Sequence, residues 1–379
     1  MNEHSRKRVS DGVMMFGRSA LALLVALLIG GVVISLGGYS FVEVYTAIFK
    51  GSLGTSRGML LSLATATPLM FTGLGFAIGI KVGIVNTGLE GQLYMGGLTA
   101  ALVGIYVDFL PGPTHAAVTM LAGAIGGGLA DQWLEVIEPL MGWFRTRFGA
   151  PEVITGIMLN SIITYFTGYL VNGPLKPAEA ASPQTAPILK SAELSRLASK
   201  SQLTTALIVC VILCILIYLL QRRTIWGFKM TAVGMNPLAA KVAGINGSQM
   251  YLAALVLSGA MAGLGGAALV QGVFKRFVDI ISNGYGFQGI PVSALAAHNP
   301  LGVIFAAILF GVLKAGATMV NQSTTIPFEF VDMVQALVVV FVAAPSIILS
   351  PIQKISVLLI NSYYYKYIFL FQFLKGGAE

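Results

Sequence analysis

Charge is what this sequence has least of. Lys, Arg, Asp and Glu together make up 10% of its 379 residues, against about a quarter in soluble globular domains. A chain so poor in charge must use lipid as solvent for much of its surface. Cysteine is nearly absent too: Cys210 and Cys214 are the only two, one helical turn apart inside an apolar stretch. That spacing gives neither a disulfide framework nor a metal site, and a buried, inert pair is the simplest reading. The three histidines, His4, His115 and His298, are scattered and offer no cluster of ligands or bases. No Gly-x4-Gly-Lys-Ser/Thr loop, Rossmann fingerprint, nucleophile elbow or zincin pair occurs, which excludes ATP binding by the P-loop device and the commoner hydrolytic sites. A basic groove interleaved with aromatics is missing as well. The net charge of +8 therefore reads as topology and contact with anionic lipid, not nucleic acid.

What is present is apolar. Hydrophobic residues make up 56% of the chain, and its mean hydropathy is +0.83. Windows almost without charge occur at 19–36, 59–80, 84–107, 114–130, 153–171, 203–220, 251–271, 286–298, 300–320 and 331–349, most near the roughly 20 residues that cross hydrocarbon. The window 286–298 is short and Gly-rich, as expected of a half-helix shielded by neighbours. The pattern predicts an all-α integral membrane protein of about ten transmembrane helices with broken or re-entrant segments. A basic amino end (1–18) would precede one polytopic domain (19–349) and an aromatic interfacial tail (350–379). The basic start, HSRKRVS and Arg18, leads into an apolar run without an Ala-x-Ala cleavage site. A retained first span with a cytoplasmic amino end in the inner membrane is expected. In that orientation 14 of the 23 Lys and Arg residues fall inside and 8 outside. The amphipathic Asp131–Pro151 and the segment 221–250 are expected inside, and between them they hold all three tryptophans, Trp133, Trp143 and Trp226. The Pro/Ala/Ser-rich loop 172–202 lies outside, long enough to touch an external partner.

The polar breaks between spans carry the chemistry. Segment 221–250 contains TIWGFKMTAVGMNPLAAKVAGING. Asn236 can cap a helix, Pro237 fits its first position, Leu238, Ala239 and Ala240 favour it, and Gly244 supplies a left-handed exit. So short a helix is unstable alone; slung between two spans, it would present a handle to a soluble partner. GIVNTGLEGQ (83–92) places Glu90 between apolar stretches. Either it lies at membrane depth and needs a partner or a role, or it is a solvated turn residue. Asn86 and Gln92 beside it offer amides suited to a neutral, hydroxylated solute. In GAPEVITGIMLN (149–160), Glu152 suits a helix start and Asn160 lies two turns further in. GYGFQGIPVSALAAHNP (284–300) is a second Gly-rich break in a matching place, with Phe287, Gln288 and Ser293; paired irregular segments are how many transporters build a midplane path. Gly79-x3-Gly83, Gly123-x3-Gly127 and Gly259-x3-Gly263 predict close helix packing.

With these segments quoted, the chain resembles the permease subunits of bacterial ATP-binding-cassette importers of the simple-sugar and nucleoside (branched-chain amino acid/ribose-type) family, over most of residues 59–345. GLGFAIGIKVGIVNTGLEGQLYMGG, GAPEVITGIMLN, AVGMNPLAAKVAGI and GFQGIPVSALAAHNPLGVIFAAILFG are similar to its successive motifs, and the Glu-Gly-Gln and Glu-Val-Ile patterns resemble the nucleoside branch more than the ribose branch. Val85, Pro151 and Pro291 depart from the usual residues. The resemblance implies a transport subunit that is not itself an enzyme and binds no cofactor, with ATP hydrolysed by a partner ATPase. It also implies a second, shorter homologous permease and an extracytoplasmic substrate-binding lipoprotein. On that basis Asn86, Glu90, Gln92, Asn160, Phe287, Gln288 and Ser293 are expected along the solute path, and Asn236, Pro237, Leu238, Ala239, Ala240 and Gly244 at the ATPase contact. An ion-coupled secondary transporter using Glu90 and Lys314 is the rival. A membrane enzyme would need converging His, Asp or Ser groups that the sequence does not show, and an inert scaffold would leave the polar breaks unexplained.

Overall fold

The computed structural model describes residues 24–135, 152–199 and 201–323, with isolated positions between 333 and 340. The basic amino end, most of the amphipathic 131–151 stretch with Trp143, the 331–349 window and the aromatic tail lie outside or almost outside the described residues. The chain divides into two units, Met1–Gly38 with Met333–Glu379, and Tyr39–Asp332. In the first, α1 (Leu24–Leu36) is an apolar helix shorter than a full span.

The second unit is helical; among the described residues no strand forms, only isolated bridges at Gln184–Val278 and Arg196–Thr204. Its helices are α2 (Phe41–Ser52), α3 (Ser56–Lys81), α4 (Leu89–Tyr106), α5 (Gly112–Glu135), α6 (Glu152–Asn172), α7 (Ala206–Arg223), α8 (Ile225–Met235), α9 (Pro237–Val242), α10 (Gly247–Ala268), α11 (Tyr285–Leu295) and α12 (Pro300–Ser323). Side-chain oxygens cap several starts: Thr55 accepts from Gly58 N at 3.0 Å, Thr224 from Gly227 N at 3.2 Å, and Asn246 from Gln249 N at 3.2 Å. Each satisfies a donor that the helix itself leaves unpaired. Segments 56–81, 206–223, 247–274 and 300–318 are both long and apolar enough to cross a membrane. The helices α4, α5 and α6, of 18, 24 and 21 residues, reach about 27–36 Å at 1.5 Å per residue.

Two packing rules organise the unit. Along α3, a run from Ala64 to Gly79 is almost wholly buried, and this helix packs on α10, α11 and α12. Between α4, α5 and α10 the seam is made of glycine. A methyl group on Gly96 would strike Gly263, one on Gly127 would strike Gly259 and Gly263, and one on Gly123 would meet Ala267 Cβ at 2.6 Å. The expected Gly123/Gly127 and Gly259/Gly263 faces thus meet each other, with backbones close enough for dispersion to hold them in a solvent as apolar as the side chains. The third pair differs. Helix α3 stops at Lys81, and Gly83 lies beyond it with φ +85°, in a left-handed turn. Its role is to reverse the chain, which Asn86 then follows back alongside Gly79.

The loop 172–202 is tied down rather than loose. Thr185 N donates to Phe277 O and Ile188 N to Lys275 O, both at 2.9 Å, while Leu189 N reaches Gly104 O at 2.9 Å. It covers the end of α4 and the segment following α10. There α10 runs into a π turn, Leu269–Phe274, whose buried Gln271 Nε2 donates to Ala116 O at 2.9 Å and Ala192 O at 2.7 Å.

Candidate functional site

The chain reversal at Gly83 sets the site. Residues 82–88 run back beside α3, so α4 begins in the interior, with Leu89 and Glu90 already buried. A helix start in such a place leaves several N–H donors to satisfy, and side chains from elsewhere do it. Asn86 Oδ1 accepts from Gly88 N at 2.9 Å, and Asn160 Oδ1, from α6, accepts from Gly91 N at 2.8 Å. The other end of the Asn160 amide donates to Thr87 O at 2.6 Å. Asn86 Nδ2 donates to Gln92 Oε1 at 3.1 Å and to Ser258 Oγ at 2.9 Å, and Ser258 donates on to Gly75 O at 2.8 Å. One chain of hydrogen bonds therefore joins α3, α4, α6 and α10. Each member is buried, Gln92 to 1% exposure and Ser258 to 0%, in surroundings where unpaired polar groups are costly. Gly91 and Gly259 make room for it: a methyl group on either would press on Asn160 or on Gln92 at about the 3.0 Å separations of Oδ1 and Cδ.

Glu90 does for α11 what Asn160 does for α4. After the π turn the chain runs through an irregular, turn-rich segment, 275–284, and then starts α11. That helix has 11 residues, about 16 Å or half a hydrocarbon thickness. Its cap, Gly284, has φ +82° and no side chain to offer. The Glu90 carboxylate fills the gap, accepting from Gly286 N at 2.6 Å and Gly284 N at 3.3 Å. A carboxylate at a helix N-terminus is favoured by both hydrogen bonding and the macrodipole. Of the two sequence readings of Glu90, the solvated turn is excluded: the carboxylate is buried and bonded to the start of α11. Gly286 has to be glycine, since a methyl group there would run into the Glu90 backbone.

The opposite side of the same break meets Lys314, on α12. Its Nζ donates to Gln288 Oε1 at 3.2 Å and to Asn283 O at 3.4 Å, and stands 3.9 Å from the centre of the Tyr285 ring, a cation–π distance. Glu90 and Lys314 thus grip the 283–288 segment from two directions. Phe287 is 41% exposed, unlike the amides. Ser293 is fully buried further along α11, with Oγ 3.0 Å from His298 Nδ1. The seven expected residues fall into three groups: the buried frame of Asn86, Gln92 and Asn160 with Glu90 next to it; Phe287 and Gln288 at the break; and Ser293 apart on the His298 bend. Ser258 and Lys314 complete the network. Nothing in the sequence around Ser258 distinguishes it from a packing serine, whereas a lysine inside an apolar window does signal a role.

At one end of the unit the short helix forms as expected. Asn236 Oδ1 accepts from Ala239 N at 3.0 Å, Pro237 opens α9, and Gly244 has φ +79°. Ala240 is buried, and Leu238 and Val242 stand outward at 77% and 91% exposure. Met235, Ile225 and Phe228 extend the exposed apolar surface along α8.

Comparison with known proteins identifies the family. The family described as branched-chain amino acid transport system/permease component matches residues 58–343. The nucleoside ABC transporter permease protein NupB of Lactococcus lactis is 31% identical over 338 residues, 86% of this chain and 90% of the relative. The guanosine ABC transporter permease protein NupP of Bacillus subtilis is 31% identical, covering 86% of this chain and 92% of its own. The glucose ABC transporter permease protein TsgB13 of Haloferax volcanii is 30% identical over 88% of this chain and 89% of its own. No solved structure matches.

Proposed function

The chain belongs to the permease family of branched-chain amino acid transport systems, and from that premise we propose that it forms the membrane path of an ATP-driven importer whose cargo is a nucleoside. The cargo class rests on the relatives NupB and NupP. The observation that carries the drive is α9. Six residues of helix are too few to persist alone, yet they hold two large apolar side chains outward on a segment that leads directly into α10. Such a surface needs a soluble partner, here an ATPase subunit that binds ATP on the cytoplasmic face. A second, shorter permease would complete the path, and a substrate-binding lipoprotein would deliver the nucleoside against the loop 172–202.

In this reading the membrane path passes the break at 283–288, where Phe287 offers a ring and Gln288 an amide. Glu90, Asn86, Gln92 and Asn160 hold the two helix starts that shape it, and Ser293 steadies α11 from below. Nucleotide binding by the ATPase moves the equilibrium between inward- and outward-open states only by its differential affinity for them, and α9 is where that difference enters this chain. A simple sugar is the second candidate cargo, on the strength of the relative TsgB13.

The test is reconstitution of the chain with its ATPase, second permease and receptor in proteoliposomes. Uptake of labelled guanosine should require ATP on the ATPase side and should resist competition by excess glucose. Glucose-blocked uptake would move the cargo to the sugars. Uptake by this chain alone, driven by an ion gradient, would end the reading in favour of a secondary transporter.

A further inference from the structure

Helices α5 and α7 leave a slot between them. Helix α5 packs on α4 and α10, and α7 on α3 and α12; the two stand on either side of a cavity of about 870 Å³. Met261 of α10 is part of its floor, Ala117, Met120 and Leu121 of α5 line one wall, and Val209 and Leu213 of α7 line the other. Leu121 is 60% exposed, so the slot opens sideways, between the helices. Nothing along this inner part carries an N–H or O–H side-chain donor.

The polar groups are gathered at one end. There the loop segment 190–195 and the start of α7 close the slot with Lys190, Ser191, Glu193, Ser195 and Thr205. The rim is held in place: Ser191 Oγ is 2.8 Å from His115 Nδ1, Gln271 Nε2 donates to Ala192 O, and Glu193 pairs with Lys275 at 2.9 Å. Three donors are left over. Among the described residues, the exposed Lys190 ammonium and the Ser195 and Thr205 hydroxyls have no hydrogen-bond or ion-pair partner. With Glu193 neutralised by Lys275, the free charge at the rim is positive.

Size and lining decide the occupant. The α5 wall runs from Gly112 to Ala124 and the α7 wall from Thr205 to Leu213, about 18 Å and about 12 Å at 1.5 Å per residue. Half of a hydrocarbon core is about 15 Å. The slot thus has the depth of one leaflet, with its charged rim where headgroups lie. Water gains few bonds in an apolar cavity, and a nucleoside or sugar would bring hydroxyls to walls that offer them no partner. A hydrocarbon chain loses nothing there, and it supplies the dispersion contacts that the separated helices do not make with each other.

We propose that the slot is a site for an anionic phospholipid. One acyl chain lies between α5 and α7, and the phosphate is held by Lys190 with the Ser195 and Thr205 hydroxyls. A basic rim between membrane helices suits such a headgroup, whereas a zwitterionic one brings its own cation beside Lys190. The site is separate from the break at 283–288, since α11 packs on α3, α4 and α12, and it does not depend on the cargo.

The test takes the full chain, purified with its bound subunits in mild detergent, and titrates it with phosphatidylglycerol or phosphatidylcholine under native mass spectrometry. Phosphatidylglycerol should bind several-fold more tightly. Lys190→Gln should weaken it roughly fivefold, the worth of one lysine at an anionic headgroup, and remove the preference. Lys176→Gln, the same charge change elsewhere on the loop, should do neither. Ala117→Phe combined with Val209→Phe fills the slot and should abolish retention of both lipids. Equal binding of the two lipids by wild type, equal effects of the two lysine substitutions, or undiminished retention in the filled slot would overturn the proposal. If the filled variant does not assemble, the lysine comparison decides alone. A photoactivatable cross-linker at Leu121→Cys, with Cys210 and Cys214 changed to Ala, should capture phosphatidylglycerol; capture of a second permease instead would also overturn it.

Discussion

Replacing Glu90 with alanine removes both acceptors from the start of α11, and the structure allows the cost to be sized. The bond from Gly286 N is short, 2.6 Å, while that from Gly284 N is 3.3 Å and contributes less. A hydrogen bond to a charged group contributes about 1.5–3 kcal/mol. The helix macrodipole adds up to about 2 kcal/mol in partly buried geometry, though the two terms describe overlapping electrostatics. Taken together, Glu90→Ala should destabilise the start of α11 by about 3 kcal/mol, which is on the order of a hundredfold in the opening equilibrium of that helix start. Glu90→Gln keeps one neutral acceptor and should cost about half as much, roughly tenfold. Hydrogen–deuterium exchange of the purified complex reads this directly, because Gly284 and Gly286 carry the amides concerned and exchange reports local opening. Peptides spanning 283–290 should exchange faster in the order wild type, Glu90→Gln, Glu90→Ala, and peptides from the start of α10 should not change. Exchange at 283–290 that is indifferent to both substitutions would refute the capping argument, and with it the claim that Glu90 holds the break in shape.

Other perturbations follow from the same geometry. Gly286→Ala should reduce assembly or uptake severely, because its methyl group meets Glu90 backbone and not a flexible side chain, whereas Gly112→Ala, with nothing nearer than 3.9 Å, should behave as wild type in both assays. Asn160→Ala strips the cap from Gly91 N and the donor from Thr87 O, and should lower the stability of the complex by about 1–3 kcal/mol; Asn160→Asp keeps the acceptor alone and should fall between, as read by thermal unfolding in detergent. Val242→Glu should leave the protein in the membrane while separating ATP hydrolysis from uptake. Normal coupled uptake in that variant would show that α9 is not the handle. Lys275 and Glu193 form an ion pair at 2.9 Å with both side chains partly exposed, so Glu193→Gln should cost no more than about 1 kcal/mol, less at high salt, as measured by thermal unfolding at two ionic strengths.

How much of this is legible in the sequence depends on the range over which each feature is decided. The short helix α9 is local: Asn236, Pro237 and Gly244 act within a few residues of one another, and the structure forms α9 where those residues put it. The half-helix is local too, since Gly284, Gly286 and a window too short to span mark its start. The glycine faces of α5 and α10 show as spaced small residues, and only their pairing with each other needs the fold. Gly79 and Gly83 show the limit of that rule, because the same spacing occurs where a helix ends, and the positive φ of Gly83 is a turn requirement that spacing does not encode. The polar network lies further out of reach. Asn86 bonds to Ser258 across 172 residues, and Glu90 to Gly286 across 196. Sequence shows that Glu90 needs a partner in an apolar setting, because an isolated charge there is costly; it does not show that the partner is the end of another helix. The same reasoning explains why polarity alone misleads about solute contact. In hydrocarbon a buried amide is kept because two backbone groups elsewhere would otherwise lie unpaired, so Asn86, Gln92 and Asn160 are accounted for by the helices they join.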